Sequence, residues 1–138
     1  MNYAIIGFGE IGQTLAKAFA RKGIAVSVAT TRDPQSFASA ATAIGPGITP
    51  TTLAEAVKAD VIFLAVRFQS HPDVAKALPS WQGKIIVDVT NAYGVPDENL
   101  GGQPSATVVA RAFSGARVVK GFNHLAAAVL DQSPAVHG

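Results

Sequence analysis

The sequence contains no cysteine and few charged residues, and each scarcity excludes a class of protein. Without cysteine, the 138 residues form no disulfide and support no thiolate chemistry. Charged residues make up 14% of the chain, the net charge is +2, and no run of lysine and arginine exceeds two residues, which argues against a nucleic-acid partner. No apolar run approaches the roughly 18 to 20 residues of a membrane span, so we expect no membrane partner either.

Motifs of metal and hydrolase chemistry are also absent. The sequence has no H-x-x-H, no H-E-x-x-H and no cluster of carboxylates, so we expect no metal ion. It has no G-x-S-x-G, the motif that holds the nucleophilic serine of many hydrolases. The chain enters an apolar segment almost at its first residue, so we expect no signal peptide. Together with the absence of cysteine, this favours a cytoplasmic location.

The first 23 residues place a glycine motif directly after an apolar segment. Residues 3–6 (YAII) are short and almost wholly apolar, which predicts a strand buried on both faces. Gly7, Gly9 and Gly12 follow in the spacing G-x-G-x-x-G, and apolar residues then recur at helical spacing as far as Gly23. Gly7 permits a tight turn, Gly9 leaves room for a pyrophosphate, and Gly12 lets the helix lie close to the strand. The motif predicts a dinucleotide site, with a glycine-rich turn that binds no ligand as the alternative.

The remaining chain alternates predicted strands with predicted helices. Strands are predicted at residues 24–30, 48–49, 61–66, 84–89 and 117–120. Helices are predicted at residues 37–44, 52–59, 73–78, 105–113 and 125–130. Asp33-Pro34 and a capping box from Thr52 to Glu55 are start signals for two of them. The alternation predicts an α/β fold, a Rossmann doubly wound parallel sheet of about six strands in the order 3-2-1-4-5-6.

Ligands of this fold bind outside the carboxyl ends of the strands, where the strand order reverses between strands 1 and 4. This rule selects residues that follow strands 1, 2, 4, 5 and 6. The predicted cofactor-binding residues are Gly7, Phe8, Gly9, Glu10, Ile11, Gly12, Thr30, Thr31, Arg32, Ala65, Val66, Arg67, Asn91 and Ala92.

The residues after strand 2 indicate which dinucleotide binds. An NAD site usually has Asp or Glu there to bind the ribose 2′-hydroxyl, whereas this chain has Thr30, Thr31 and Arg32. A carboxylate would repel a 2′-phosphate, but a guanidinium binds it with a planar fork and a threonine donates through its hydroxyl. The sequence therefore favours NADP as the cofactor. The alternative is a solvated Arg32 that pairs with Asp33.

The residues after strands 4, 5 and 6 are candidates for the reacting half of the site. Phe68 either stacks on a ring or belongs to the core, and Arg67 either meets an anionic substrate or is simply exposed. Asn91 is placed to bond the nicotinamide amide or the substrate. His124 is the best general-acid candidate, with helix capping as its alternative. The catalytic residues stay unassigned, with Asn91, Asn123 and His124 as the candidates.

Three other polar residues are interpreted as structural. His71 is predicted to begin a helix as a surface or capping residue, and His137 lies in the tail. Asp88 lies within a predicted strand and is expected to bond neighbouring backbone.

Several segments resemble one family. They are IIGFGEIGQTLA (residues 5–16), the threonine and arginine after strand 2, ADVIFLAV (59–66), IIVDVTN (85–91) and VVKGFNHL (118–125). Together they are similar to the NADPH:deazaflavin oxidoreductase family, whose members reduce or oxidise coenzyme F420. The likeness runs from Tyr3 to about Leu130.

The resemblance implies NADP as the cofactor and hydride transfer between stacked rings, without a metal or a covalent nucleophile. It implies phosphate contacts from the amides of residues 9–11 and 2′-phosphate contacts from Thr31 and Arg32. It also implies that Asn91 and Asn123 lie near the reacting rings. The expected partner is a small-molecule electron acceptor.

The sequence departs from that family at two places. Strand 4 ends in Val66-Arg67, where the family often has a proline. The family's C-terminal segment, which helps to form the second substrate pocket and the dimer, is missing. We therefore expect residues 1–138 to be an NADP-binding Rossmann domain, the N-terminal part of a longer protein, with a minimal domain as the alternative. The acceptor stays open among deazaflavin, flavin and ferric ion, and a homodimer is an open alternative. An NADP-binding module or redox sensor without turnover of its own is the second candidate function.

Overall fold

Six parallel strands with helices on both faces make up the architecture. The structure is a computed structural model that describes residues 2–30, 33–66, 71–89 and 105–120. The strands are β1 (Tyr3–Ile6), β2 (Val26–Ala29), β3 (Ile48–Pro50), β4 (Val61–Leu64), β5 (Ile85–Asp88) and β6 (Arg117–Lys120). The helices are α1 (Glu10–Arg21), α2 (Ala38–Ile44), α3 (Leu53–Ala56), α4 (His71–Ala75) and α5 (Ser105–Ala112), and a 3₁₀ turn covers Pro34–Ser36.

The sheet has the order β3-β2-β1-β4-β5-β6, and every neighbouring pair is parallel. This confirms the predicted Rossmann order. Ile6 at the end of β1 pairs with Ala29 on one side and with Leu64 on the other, and Leu64 pairs with Asp88. The carboxyl ends of β2, β1, β4 and β5 are therefore level, and the strand order reverses between β1 and β4.

Each face of the sheet has its own apolar core, because successive side chains of a strand point to opposite faces. On one face, Ile6, Leu64 and Ile86 pack with residues of α3, α4 and α5. On the other face, Ile5 and Val28 pack with residues of α1 and α2. Cover on both faces explains why the central strands are apolar without alternation. In the described part of the chain, no helix combines the length and the apolar character needed to cross a bilayer.

The predicted strands are all present, and the structure shortens three of them, β2, β4 and β5, and extends β3 by one residue. β1 and β6 have the predicted bounds, whereas β4 ends at Leu64 and β5 at Asp88. The ladder still continues by one hydrogen bond past each end. The amide of Ala65 donates to Ile6 at 2.8 Å, and the amide of Val89 donates to Leu64 at 3.1 Å.

Hydrogen bonds confirm two predicted start signals. The Oδ1 of Asp33 accepts from the amide of Gln35 at 2.9 Å, and the Oγ1 of Thr52 accepts from the amide of Glu55 at 3.3 Å. The Asp33 cap opens the 3₁₀ turn instead of a longer helix. The backbone of Phe37, at φ −133° and ψ 5°, then separates this turn from α2, so α2 begins one residue later than predicted.

The helix predicted at residues 73–78 is α4, which begins two residues earlier. Pro72 explains the earlier start, because proline is well tolerated in the first turn of a helix. The interpretation of His71 as a surface residue is wrong, since His71 is only 3% exposed. α4 lies against the sheet through Val74, which belongs to the core on that face, and the start of α4 is buried with it.

Candidate functional site

The glycine turn lies at the carboxyl edge of the sheet, in the gap between β1 and β4. Gly7 has φ 110°, a conformation that side chains rarely adopt, and its amide donates to the carbonyl of Ala29 at 2.7 Å. A Cβ on Gly7 would collide with the carbonyl of Ala65, just past the end of β4. The tight turn predicted at Gly7 is confirmed, and its backbone is held between β2 and β4 at the reversal of strand order.

Gly12 and Gly9 have opposite surroundings. A Cβ on Gly12 would overlap the carbonyl of Gly7, with the carbonyl carbon only 2.9 Å away, so α1 approaches the turn as closely as a glycine allows. The close helix packing predicted for Gly12 is confirmed. A Cβ on Gly9 would meet no atom of the described residues within 4 Å. The backbone at Gly9 therefore faces open space, as a pyrophosphate site requires.

Beside that open space, the first turn of α1 presents amides that have no acceptor among the described residues. The first bond inside the helix runs from the amide of Gln13 to the carbonyl of Gly9 at 2.9 Å. The amides of Glu10, Ile11 and Gly12 precede it and have no acceptor inside the helix. Gly9 is the N-cap and provides no side-chain acceptor. These amides and the positive end of the helix dipole favour an anion at this position.

Phe8 contributes its backbone carbonyl to the glycine turn, and its ring lies elsewhere. Its side chain is 8% exposed and points into the core, where its ring centroid lies 5.7 Å from that of Phe37. The carbonyl of Phe8 accepts a hydrogen bond from the Nε2 of Gln13 at 3.0 Å. Sequence reasoning missed Gln13. A long polar side chain one residue after the last glycine of the motif is the only signal, and it is a weak one.

The residues that follow β2 and β4 lie beside the glycine turn at the carboxyl edge of the sheet. Thr30 is 7% exposed, and its side chain is engaged within the protein. Ala65 follows β4 directly beside Gly7, and Val66 is half-buried and packs on the core. The other predicted site residues lie outside the described residues and stay predictions. They are Thr31, Arg32, Arg67, Phe68, Asn91, Ala92, Asn123 and His124.

Buried polar residues of the described chain gather near this same edge. Thr30 and Asp88 lie at the carboxyl ends of β2 and β5, His71 begins the helix that follows β4, and Thr14 lies in the second turn of α1. Thr14 bonds the carbonyl of Glu10 at 2.8 Å, and the other three are also engaged. An open groove of about 400 Å³ lies at the opposite, amino edge, and no prediction involves it.

A parallel sheet in this order, with a glycine turn at the point where the strand order reverses, defines the Rossmann fold. Comparison with family models narrows the class. The chain belongs to the family described as NADP oxidoreductase, coenzyme F420-dependent, whose model matches residues 2–92. This confirms the resemblance noted in the sequence.

Several solved structures share the fold of this chain. A hypothetical protein, SMa0349 from Sinorhizobium meliloti, is 39% identical, with a TM-score of 0.88 over 97% of this chain and 67% of its own. A candidate F420-dependent NADP reductase from Arthrobacter sp. FB24 is 26% identical, with a TM-score of 0.74 over 94% of this chain and 65% of its own. A reductive aminase from Aspergillus terreus, solved with NADPH, shares the fold at 22% identity, with a TM-score of 0.66 over 87% of this chain and 39% of its own.

The protein spans about two thirds of the length of the first two structures and a smaller share of the third. No protein of curated function matches it.

Proposed function

We propose that this chain binds NADP(H) at the glycine turn and transfers a hydride between NADPH and a small acceptor, a deazaflavin, a flavin or a similar molecule. One observation supports the proposal most strongly. The backbone at Gly9 faces open space beside three helix amides that have no acceptor among the described residues, in a chain of the NADP oxidoreductase family. The residues present fit a pyrophosphate, because the space beside the Gly9 backbone, where a Cβ would lie, is open among the described residues and lets a phosphate approach.

Bound NADPH would supply the hydride. The chain would position the cofactor and offset the negative charge of its pyrophosphate. The amides of Glu10 and Ile11 would bind the pyrophosphate, and the dipole of α1 would offset its charge. The short apolar ends of β1 and β4 would exclude water beneath it, because Ile6 and Leu64 are fully buried there. No side chain of the described residues needs to move a proton for these tasks.

The remaining roles are proposals from the sequence and the family. Thr31 and Arg32 would bind the 2′-phosphate, because they follow the buried Thr30 at the end of β2. Asn91 follows β5 and Asn123 follows β6, so both would approach the reacting rings from the carboxyl edge. His124 is the candidate for any proton transfer. A homodimer is an additional proposal, as is cytoplasmic location.

The function is tested by mixing the protein and NADPH with a deazaflavin, a flavin or a ferric salt, and following the absorbance of NADPH. Oxidation that depends on the protein with one acceptor supports an oxidoreductase. Tight binding of NADPH without oxidation by any acceptor would instead support the binding module or redox sensor. The Gly9→Val variant is the control, because it should be inactive in both respects.

Arg32→Ala is expected to weaken NADPH binding about tenfold to hundredfold, since a hydrogen bond to a charged group contributes about 1.5 to 3 kcal/mol. NADH binding should hardly change, because NADH carries no 2′-phosphate. Thr31→Asp should move the preference toward NADH by repelling the phosphate and offering the ribose an acceptor. Both cofactors are titrated against each variant at fixed salt.

Lys22→Ala is the matched control for Arg32→Ala. It removes one positive charge at the far end of α1, on the amino side of the sheet, and should leave both affinities unchanged. Equal losses of NADPH and NADH affinity in Arg32→Ala would mean that Arg32 acts through folding or general charge. The preference for NADP would then lose its main support.

A further inference from the structure

Gln13 bridges α1 and the glycine turn. Its side-chain amide Nε2 donates to the carbonyl of Phe8 at 3.0 Å, and the bond is partly buried. Phe8 lies between Gly7 and Gly9, so this bond fixes the peptide group that enters the open part of the turn. This side-chain bond is additional to the helical bond of the same residue, in which the backbone amide of Gln13 donates to the carbonyl of Gly9.

Apart from the bond to Gln13, no hydrogen bond of the described residues holds the peptide between Phe8 and Gly9. Gly7 is held by its hydrogen bond to Ala29, and the Phe8 ring is held against Phe37. Gly9 itself has φ −80°, but a glycine adopts positive φ almost as readily, so the peptide plane before it can rotate at little cost. The glycine that leaves room for an anion therefore also permits the turn to change shape.

Rotation of that plane would reverse the charges near the anion. The carbonyl and the amide hydrogen of a trans peptide point in opposite directions. With the Phe8 carbonyl held toward Gln13, the negative end of this peptide points at α1. In a rotated peptide plane, the carbonyl oxygen of Phe8 could point into the open space where the pyrophosphate would lie. Its partial negative charge would then repel the pyrophosphate.

We propose that Gln13 is a positioning residue, which holds the Phe8–Gly9 peptide in the orientation that a pyrophosphate requires. This rests on the proposed function, in that the anion is the pyrophosphate of NADP(H). Gln13 affects the ligand through the carbonyl of Phe8 and not through a contact of its own. It should therefore contribute equally to NADPH and NADH, which differ only at the 2′-position.

The test compares Gln13→Met with Thr14→Val. Methionine has the length of glutamine but no donor, so the turn loses its bond while the helix keeps an unbranched side chain. Thr14→Val removes a bond of similar length, from Oγ1 to the carbonyl of Glu10, which lies within α1 and does not involve the turn. Gln13→Met should weaken NADPH and NADH by the same factor, about threefold to tenfold, as expected for one neutral hydrogen bond. Thr14→Val should leave both affinities unchanged.

Two further readouts separate positioning from a general structural effect. Adenosine 2′-phosphate has no pyrophosphate, and its affinity should be the same in wild type and Gln13→Met. In the absence of any ligand, the amide NMR signal of Gly9 should broaden or double in Gln13→Met, because the peptide now samples two orientations. In Thr14→Val the signal should stay single and sharp.

Unchanged dinucleotide affinity in a folded Gln13→Met would overturn the proposal, and so would a single, sharp Gly9 signal in that variant. An equal loss of adenosine 2′-phosphate affinity would also overturn it, by showing a general loss of structure. If the wild type binds neither NADPH nor NADH, the proposed function fails, and the Gly9 signal then decides alone whether Gln13 orients the turn.

Discussion

Gly9→Val should abolish dinucleotide binding and leave the chain folded. The backbone of Gly9 lies in the extended region, at φ −80° and ψ −160°, and a Cβ there would meet no atom of the described residues within 4 Å. It would instead occupy the space beside the amides of Glu10 and Ile11. Loss of two hydrogen bonds to a charged group costs about 4 kcal/mol, or roughly a thousandfold in the dissociation constant.

The affinity for NADPH is measured by calorimetric titration, and the folded state by urea unfolding of the same samples. Gly9→Ala is the graded control, because a single methyl group should reduce the affinity less than the isopropyl group does. NADPH affinity equal to that of the wild type in a folded Gly9→Val would exclude the glycine turn as the site.

Gly12→Ala should affect folding where Gly9→Val affects binding. It should lower the free energy of unfolding, whatever its effect on dinucleotide binding. The added methyl group would overlap the carbonyl of Gly7 and lie 2.9 Å from its carbon, and both are backbone atoms that cannot turn aside. Overpacking of this kind costs about 1 to 3 kcal/mol, and we expect the upper end here. The direction of the change in stability is informative, because glycine to alanine at an open helix position raises stability by about 1 kcal/mol.

Urea unfolding at constant slope gives the loss of free energy for Gly12→Ala. Gly9→Ala is the matched control, since it adds the same methyl group three residues earlier, where there is room. A Gly12→Ala variant as stable as the wild type would show that α1 does not lie as close to the turn as described.

The order of the sheet could be predicted because several local signals agree. Residues 3–6 and 61–66 are apolar without alternation, which indicates strands covered on both faces, and the two cores observed on Ile5 and Ile6 show why. Asp33 and Thr52 mark helix starts through side-chain oxygens whose hydrogen bonds are local and follow from spacing.

Features that depend on tertiary packing were harder to predict. Histidine is neither strongly buried nor strongly exposed as a residue type, and nothing adjacent to His71 in the sequence shows that the first residue of α4 would be buried. The ring of Phe8 could equally have pointed at a ligand, and its contact with Phe37 joins residues 29 positions apart. The role of Gln13 depends on the direction of one carbonyl, which spacing does not specify.

The candidate site also has parts that the sequence predicts and parts that it does not. The glycine motif has a fixed geometry, so the roles of Gly7 and Gly12 follow from the spacing alone and agree with the structure. The choice of NADP depends on Arg32, for which the sequence provides only charge and position. The acceptor depends on residues after β5 and β6, where the sequence offers several polar side chains without a distinctive pattern.

The most direct test of the account is an NMR titration of the ¹⁵N-labelled protein with NADPH. The largest changes in amide chemical shift are expected at Gly9, Glu10 and Ile11, because these amides have no acceptor among the described residues and would acquire one from the pyrophosphate. The changes should saturate, and NADH at the same concentration should produce smaller ones. Largest changes around Ser27 and Lys58, in the groove at the opposite edge of the sheet, would contradict the account.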